Sequence, residues 1–244
     1  MTDVQVSTPD GVAPASLHVP EGAGPWPAVL MYPDAGSLRD VFRAMGERLA
    51  SEGYVVLVPD VYYRAGDYEP FSIATVFTDP GERARLGELA GALTSARVTA
   101  DATAYADFLA GRAEVAPGPI GTTGYCMGGR LSLTTAARLG ARVGAAASFH
   151  GGRLAVADDP DSPHQLAADV RATVYVGGAA DDASFDDEQA ALLHAAYDAA
   201  GVRHTIEQYG AGHGFAVPDN PTFDESAADR HWQALRELYA SALG

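Results

Sequence analysis

The only cysteine of this 244-residue chain, Cys126, lies in the run Gly124-Tyr125-Cys126-Met127-Gly128-Gly129. The apolar stretch 118–123 before it predicts a short buried strand, and the spacing of apolar residues in 130–139 predicts a helix. Glycines on both sides of a nucleophile permit a sharp strand-to-helix turn that exposes its side chain above a sheet. The free N–H groups at a helix start favour a thiolate and an oxyanion. The pattern predicts a catalytic thiol, and the alternative is a small buried apolar cysteine.

Two later segments carry groups that could activate this thiol. Residues 171–178 predict a strand that ends just before Asp181 and Asp182, and residues 205–209 predict a strand that ends just before Gly212-His213-Gly214-Phe215. A thiolate needs a proton acceptor within hydrogen-bond range, and an imidazole needs a partner on its other nitrogen to fix its tautomer. The chain order nucleophile, acid, histidine, with each group after a strand, is the order of α/β-hydrolases. We therefore expect Cys126 and His213 to act with one of the two aspartates.

His213 differs from the other histidines because a predicted strand precedes it and glycines flank it. The remaining six lack this combination, and they are His18, His150, His164, His194, His204 and His231. The alternative role for His213 is the packing of a loop.

Length and composition narrow the class of protein. A chain of this length suits one large α/β domain. The sequence has no apolar run of 18 residues, so no membrane span is predicted. Its N-terminus lacks a basic start followed by an apolar stretch, so no signal peptide is predicted. A single cysteine and no leader favour the cytoplasm, where a thiol stays reduced. The formal net charge of −16 argues against nucleic acid and anionic membranes as partners.

Apolar strand segments alternate with helical segments along the chain, which predicts a mostly parallel central sheet with helices on both faces. A turn at Pro9-Asp10-Gly11 predicts an N-terminal hairpin. The predicted strands are 4–8, 15–19, 28–32, 55–58, 118–123, 144–149, 171–178 and 205–209, and the predicted helices are 41–51, 95–109, 130–139, 186–199 and 224–243. Together they favour a single α/β-hydrolase domain over residues 1–244.

Two segments are predicted to be irregular. The excursion 61–94 holds aromatic residues among glycines, prolines and charges, so it either lines a pocket or is anchored by those rings. Its aromatic residues are Tyr62, Tyr63, Tyr68, Phe71 and Phe77. The acidic segment 158–163 lacks the glycine and closing glutamate of a calcium loop, so we expect a solvated loop and no metal site.

These motifs resemble those of the dienelactone hydrolase family of cysteine α/β-hydrolases. The resemblance rests on Gly124 to Gly129, on Gly212 to Phe215 and on the Asp182-Ala183-Ser184-Phe185 context. It extends to Tyr32-Pro33-Asp34-Ala35-Gly36 and covers nearly the whole chain. It implies that Cys126 attacks an ester or lactone carbonyl and becomes acylated, with His213 as base and then acid. It implies no cofactor.

The resemblance also assigns the supporting residues. It selects Asp182 as the acid, because family members have an aspartate three residues before an apolar position, whereas counting from the strand end at Gly178 selects Asp181. It implies that the backbone N–H groups of Met127 and Ala35 stabilise the oxyanion. As residues that contact the substrate we name Tyr62, Phe71, Phe77 and Phe215.

Two positions depart from the family pattern. Members that open dienelactone have a glutamate at the place of Asp34, and there it contacts the resting thiol; the alternative for Asp34 is a cap on a helix that begins near Leu38. Members that bind a substrate carboxylate have an arginine four residues after the catalytic histidine, where this chain has Val217. Arg64, Arg83, Arg85, Arg97 or Arg153 would have to replace it, and each is more typical of a solvated surface charge.

The expected function is hydrolysis of a small carboxylic ester or lactone. The alternatives are a general carboxylesterase or thioesterase, and a non-catalytic fold member that binds a small ligand or senses oxidants through Cys126.

Overall fold

A computed structural model describes residues 1–243, and eight strands within them form one sheet. The strands are β1 Thr2–Thr8, β2 Gly11–His18, β3 Ala28–Tyr32, β4 Val55–Pro59, β5 Ile120–Tyr125, β6 Val143–Phe149, β7 Thr173–Ala179 and β8 His204–Tyr209. Their order across the sheet is β1-β2-β4-β3-β5-β6-β7-β8. β2 pairs antiparallel with β1 and β4, and every pairing from β4 to β8 is parallel. The sheet is therefore mostly parallel, as the sequence predicts.

Helices cover both faces of the sheet. They are α1 Asp40–Ser51, α2 Pro80–Gly91, α3 Ser95–Ala110, α4 Met127–Leu139, α5 Asp187–Ala200 and α6 Glu225–Ala242. Short 3-10 helices lie at Tyr63–Ala65, Gly140–Arg142 and Pro163–Asp169. Buried residues of α1 and α6 share one apolar core, and those of α3, α4 and α5 share the other. Side chains of β3 alternate between these cores, because successive residues of a strand point to opposite faces.

The excursion 61–94 is more regular than the sequence predicts. Its second half is α2, which begins after Asp79; the Asp79 carboxylate accepts a hydrogen bond from the N–H of Glu82, and Pro80 occupies the first turn. An aspartate followed by proline is a standard helix start, so the signal was present in the sequence. All the aromatic residues of this segment lie before the helix.

The strand predicted at 118–123 lies two residues further along, at Ile120–Tyr125, and ends directly before Cys126. β5 ends at Tyr125 and α4 begins at Met127, so Cys126 alone joins them. Because β3 and β5 to β8 are parallel, their carboxyl ends meet at one edge of the sheet, where α/β proteins bind ligands. Asp34, Cys126, His150, Asp182 and His213 all follow strand ends at this edge.

Among residues 1–243, no helix combines the length and the apolar character needed to cross a membrane.

Candidate active site

Cys126 lies on a strained turn between β5 and α4. Its backbone has φ 54° and ψ −119°, a combination that L-residues rarely adopt. Three glycines make the turn possible, because a Cβ on Gly124 would lie 1.8 Å from the carbonyl oxygen of Gly128, and one on Gly128 would lie 2.3 Å from that of Pro33. A Cβ on Gly129 would lie 2.3 Å from the Ser148 hydroxyl. Close backbone approach therefore requires Gly124 and Gly128, and the Ser148 hydroxyl requires Gly129.

His150, which was not among the predicted site residues, contacts the backbone of Cys126. Its Nδ1 is 3.1 Å from the backbone N of Cys126, so Nδ1 accepts and the ring proton lies on Nε2. The side chain is buried, and burial lowers its pKa well below the ordinary value, which keeps the ring neutral. The rings of His150 and His213 meet edge to face with centroids 5.2 Å apart. The missed signal was its position immediately after β6 and before Gly151.

The structure brings His213 together with Asp182 and leaves Asp181 outside. Nδ1 of His213 lies 2.6 Å from Oδ2 of Asp182. The other carboxylate oxygen of Asp182 accepts hydrogen bonds from the N–H and the hydroxyl of Ser184 at 2.9 and 2.7 Å. Asp181 is exposed and has φ 53°. The aspartate in contact with His213 is thus Asp182, which the resemblance selects, and not Asp181, which the count from the strand end selects.

The ionisation of the pair follows from these contacts. Burial disfavours the imidazolium of His213, but its hydrogen bond to Asp182 and its proximity to Cys126 outweigh this and raise its pKa to about 10. Burial likewise disfavours the carboxylate of Asp182, but hydrogen bonds from His213 and Ser184 lower its pKa to about 2. The pair is therefore imidazolium and carboxylate at neutral pH, with the Cys126 thiol beside it.

Met127 and Ala35, the expected oxyanion donors, lie on two segments that Tyr62 joins. Met127 is the first residue of α4, so its N–H has no acceptor within the helix. The hydroxyl of Tyr62 donates to the carbonyl oxygen of Ala35 at 3.1 Å and lies 3.3 Å from Sδ of Met127. Tyr62, proposed from sequence as a substrate contact, is buried and bridges these two segments.

Asp34 is bound by an arginine that sequence reasoning missed. Both carboxylate oxygens accept hydrogen bonds from Arg39, at 2.6 and 2.9 Å, and Oδ1 also accepts the N–H of Gly36. Nε and Nη2 of Arg39 also donate hydrogen bonds to the carboxylate of Asp219, at 2.7 and 2.8 Å. The alternative role as a helix cap is wrong, because α1 begins at Asp40 and Asp34 caps no part of it. The role of Asp34 beside the resting thiol stays a prediction. Arg39 thus bridges the loop after β3 to the loop after His213.

The aromatic residues predicted to contact substrate lie in different environments. Phe71 lines a cavity of about 700 Å³ whose wall also includes Gly36, Arg39 and Tyr68. Phe77 is 53% exposed on the surface. Phe215 is fully buried, stacked on Tyr209 with ring centroids 4.7 Å apart, so it packs the core and forms no open wall.

A mostly parallel eight-stranded sheet with a cysteine on a sharp strand-to-helix turn after β5 defines an α/β-hydrolase fold. A crystal structure of an acylaminoacyl peptidase shares this fold, with a TM-score of 0.73 and 16% identity over 99% of this chain and 41% of that chain. The model of the dienelactone hydrolase family matches residues 13–243, and the chain belongs to that family.

Individual relatives agree with this assignment. A Methylorubrum extorquens protein named carboxymethylenebutenolidase is 30% identical, over 97% of this chain and 79% of its own length. A crystal structure of a dienelactone hydrolase from Klebsiella pneumoniae has a TM-score of 0.85 and 26% identity, and the match covers 98% of this chain and 97% of that chain. A dienelactone hydrolase-like promiscuous phosphotriesterase from metagenomic libraries has a TM-score of 0.80 and 26% identity, with 99% and 98% covered. The chain is accordingly a hydrolase of the kind that acts on esters and lactones.

Proposed function

We propose that this protein hydrolyses a small carboxylic ester or lactone by covalent catalysis, with Cys126 as nucleophile, His213 as acid and base, and Asp182 as the residue that orients His213. The observation that carries the proposal is a strained cysteine at a helix start, close enough to a hydrogen-bonded histidine–aspartate pair to raise the pKa of the histidine. An acyl-thioester on Cys126 is the intermediate.

The resting site places a positively charged His213 beside the cysteine. With the pKa of His213 raised to about 10, a proton resides on its imidazole at neutral pH. A cation beside a thiol favours the thiolate, and the positive end of α4 acts in the same direction. The neutral ring of His150 places no second cation next to His213. The imidazolium of His213 and the start of α4 are therefore the groups that activate the nucleophile.

Acylation follows from this arrangement. The thiolate of Cys126 attacks the carbonyl carbon, and the carbonyl electron pair moves to oxygen. The N–H groups of Met127 and Ala35 donate to that oxyanion, a contribution typically worth about 10²–10³ in rate per donor. As the tetrahedral intermediate collapses, the C–O bond breaks and the His213 imidazolium gives its proton to the leaving alkoxide.

Deacylation uses the same groups in reverse. His213, now neutral, removes a proton from a water molecule that attacks the thioester carbonyl. The C–S bond then breaks, which returns the thiolate of Cys126 and the imidazolium of His213 and releases a carboxylic acid. Asp182 keeps the imidazole in one tautomer and balances its charge throughout.

A neutral substrate fits the surroundings better than a carboxylate. Val217, at the position where carboxylate-binding members have arginine, is fully buried. Arg39 is committed to Asp34 and Asp219, Arg64 to Asp101 and Asp10, and Arg85 to Glu82 and the ring of Phe71. These guanidinium groups already have carboxylate partners, so a simple ester or neutral lactone is the preferred class. A reducing compartment such as the cytoplasm would keep the thiolate active.

The test compares the wild-type protein with Cys126→Ala on p-nitrophenyl acetate and on a neutral lactone. Hydrolysis should fall by at least about 10³-fold in the variant, as for removal of a nucleophile in other triads. Mass spectrometry of the wild type quenched with acid should detect one acyl group on the peptide that contains Cys126. Circular dichroism of both proteins controls for folding.

The outcomes separate this function from its alternatives. Equal activity of wild type and Cys126→Ala would refute the thiol mechanism. Inactivity of the wild type on a broad panel of esters, lactones and thioesters would favour a binding or redox-sensing role. A sulfenic acid at Cys126 that alters ligand binding, with no esterase activity, would identify the redox sensor.

A further inference from the structure

A cluster of two histidines and one aspartate lies far from the candidate active site. His194 and Asp198 are four residues apart in the last two turns of α5, so they share one face of that helix. His204 is the first residue of β8, directly after the turn 201–203 that leaves the helix. One ligand atom from each of the three residues lies within 4.8 Å of the other two.

The distances within this His194–Asp198–His204 cluster are close to those of a metal site. Nδ1 of His194 lies 2.6 Å from Nε2 of His204, and Oδ1 of Asp198 lies 3.9 Å from the same Nε2. Two ligands bonded to a tetrahedral zinc ion at about 2.0–2.1 Å stand about 3.3 Å apart. Small rotations of the exposed His194 and Asp198 side chains would bring all three atoms to that spacing.

His204 is prepared as a ligand by its own surroundings. Its Nδ1 lies 2.7 Å from the carbonyl oxygen of Val202, so Nδ1–H donates and Nε2 carries the lone pair. Metal-binding histidines are usually oriented in this way by a backbone carbonyl or a carboxylate on the second nitrogen. The side chain is only 5% exposed and packs beside the ring of Tyr197, with centroids 5.4 Å apart. One ligand is thus fixed before the ion arrives.

The other two ligands leave the site open to solvent. The side chains of His194 and Asp198 are 60% and 64% exposed, so an ion can reach them and keep a water molecule in its fourth position. Two imidazoles and one carboxylate suit zinc and its transition-metal neighbours better than magnesium or calcium. The net charge of −16 adds a general attraction for cations.

We propose that His194, Asp198 and His204 bind one divalent zinc-class ion that joins the end of α5 to the start of β8. Without metal, Nδ1–H of His194 donates to Nε2 of His204, which accounts for the short distance between them. With metal, the proton of His194 moves to its other nitrogen, and both imidazoles direct lone pairs at the ion. His204 begins β8 whereas His213 follows its other end, so the bound ion stabilises the fold without touching the reaction.

The binding test uses tag-free protein in the Cys126→Ala background, because a thiol beside a histidine could also bind zinc. Titration calorimetry with zinc chloride should show one equivalent bound per chain. His194→Ala and Asp198→Asn should each weaken this binding at least about tenfold. Asp187→Asn, an exposed carboxylate at the other end of α5, should leave it unchanged. Magnesium chloride should produce no comparable heat.

The stability test separates a fold-linked site from loose surface binding. A free zinc concentration of about 100 times the parent's Kd should lower the unfolding equilibrium constant about 100-fold, and His194→Ala should cut this gain to about tenfold or less. Esterase activity of His194→Ala in the wild-type background should equal that of the wild type. The proposal is overturned if zinc binds His194→Ala as tightly as its parent, or if no equivalent binds at all. Either result would leave the two imidazoles as a hydrogen-bonded pair only.

Discussion

Oδ2 of Asp182 lies 2.6 Å from Nδ1 of His213, while the neighbouring Asp181 is exposed to solvent. The chain turns sharply at Asp181, with φ 53°, and this turn directs the next side chain back to the sheet edge. The N–H and hydroxyl of Ser184 hold the other oxygen of Asp182. One of two adjacent, chemically identical residues is thereby selected as the partner of His213.

Replacing the two aspartates separately should give a large loss of activity at position 182 and little change at position 181. Asp182→Asn removes the carboxylate that raises the pKa of His213 to about 10, so that pKa should fall toward its ordinary value of about 6.5. The proposed acylation needs the imidazolium form of His213. This form is lost as the pH rises through the pKa of His213, so the rate falls there. The alkaline limb of kcat/KM should therefore move to lower pH, and its maximum should fall about 10²–10⁴-fold.

Asp181→Asn is the matched control for this pH profile. It makes the same chemical change at an exposed site, so its rate should stay within about twofold of wild type. Both variants are checked by measuring activity from pH 5 to 11. The substrate should have a leaving group that does not titrate in that range. A larger loss in Asp181→Asn would show that the wrong aspartate has been assigned.

Arg39 should stabilise the fold because it neutralises a buried carboxylate. Arg39→Met keeps much of the side-chain volume but leaves Asp34, which is 3% exposed, without its charged partner. Removal of one partner from a buried ion pair typically costs about 3–5 kcal/mol of unfolding free energy. Asp219→Ala breaks only the more exposed side of the bridge and should cost no more than about 1 kcal/mol.

Urea unfolding of the two variants measures this difference. Equal losses in both would mean that Asp34 and Asp219 depend on Arg39 to the same extent. A stable Arg39→Met protein would show that water or a neighbouring donor replaces the guanidinium.

Much of this fold follows from local pattern. The apolar run 28–32 is found as β3, and the glycine-flanked cysteine falls on the strand-to-helix turn. Both depend on residues that are adjacent in sequence, where strand periodicity and glycine conformation decide the outcome. α2 was missed because its apolar spacing is weak, although Asp79 and Pro80 mark its start.

The supporting residues of the site depend on long-range contacts that sequence patterns do not reveal. Arg39 and Asp219 are 180 residues apart and meet only because the loops after β3 and β8 lie at the same sheet edge. His150 was overlooked because it has glycine on one side only, yet its backbone position after β6 brings it to Cys126. Of the two roles considered for Asp34, the helix cap is wrong and the role beside the thiol stays a prediction, and neither anticipated its contact with Arg39.

Tyr62 should affect the rate of the chemical step more than substrate binding. Tyr62→Phe removes the hydroxyl that joins Ala35 to Met127, so the proposed oxyanion donors lose alignment without loss of charge. We expect kcat to fall about tenfold with little change in KM, less than the about 10²–10³ typical for removal of a donor itself. Tyr68→Phe is the control, because its hydroxyl donates to Asp60 in the same aromatic cluster.

Steady-state kinetics on a neutral ester distinguish these roles. If Tyr62→Phe raises KM and leaves kcat unchanged, Tyr62 contacts substrate, as the sequence first suggested. If both tyrosine variants lose activity equally, the effect belongs to the aromatic cluster as a whole.

Gly128→Ala should disable the elbow through a steric conflict alone. The added Cβ would lie 2.3 and 2.5 Å from the carbonyl oxygens of Pro33 and Tyr32, so α4 must move away from the loop that carries Ala35. Because two backbone segments would separate, we expect activity to fall at least about 100-fold, the range for loss of an oxyanion donor. Gly87→Ala in α2 has nothing within 4 Å of the new Cβ and should stabilise the protein by up to about 1 kcal/mol. Activity and urea unfolding of both variants check this, and full activity in Gly128→Ala would mean that the two segments need not touch for catalysis.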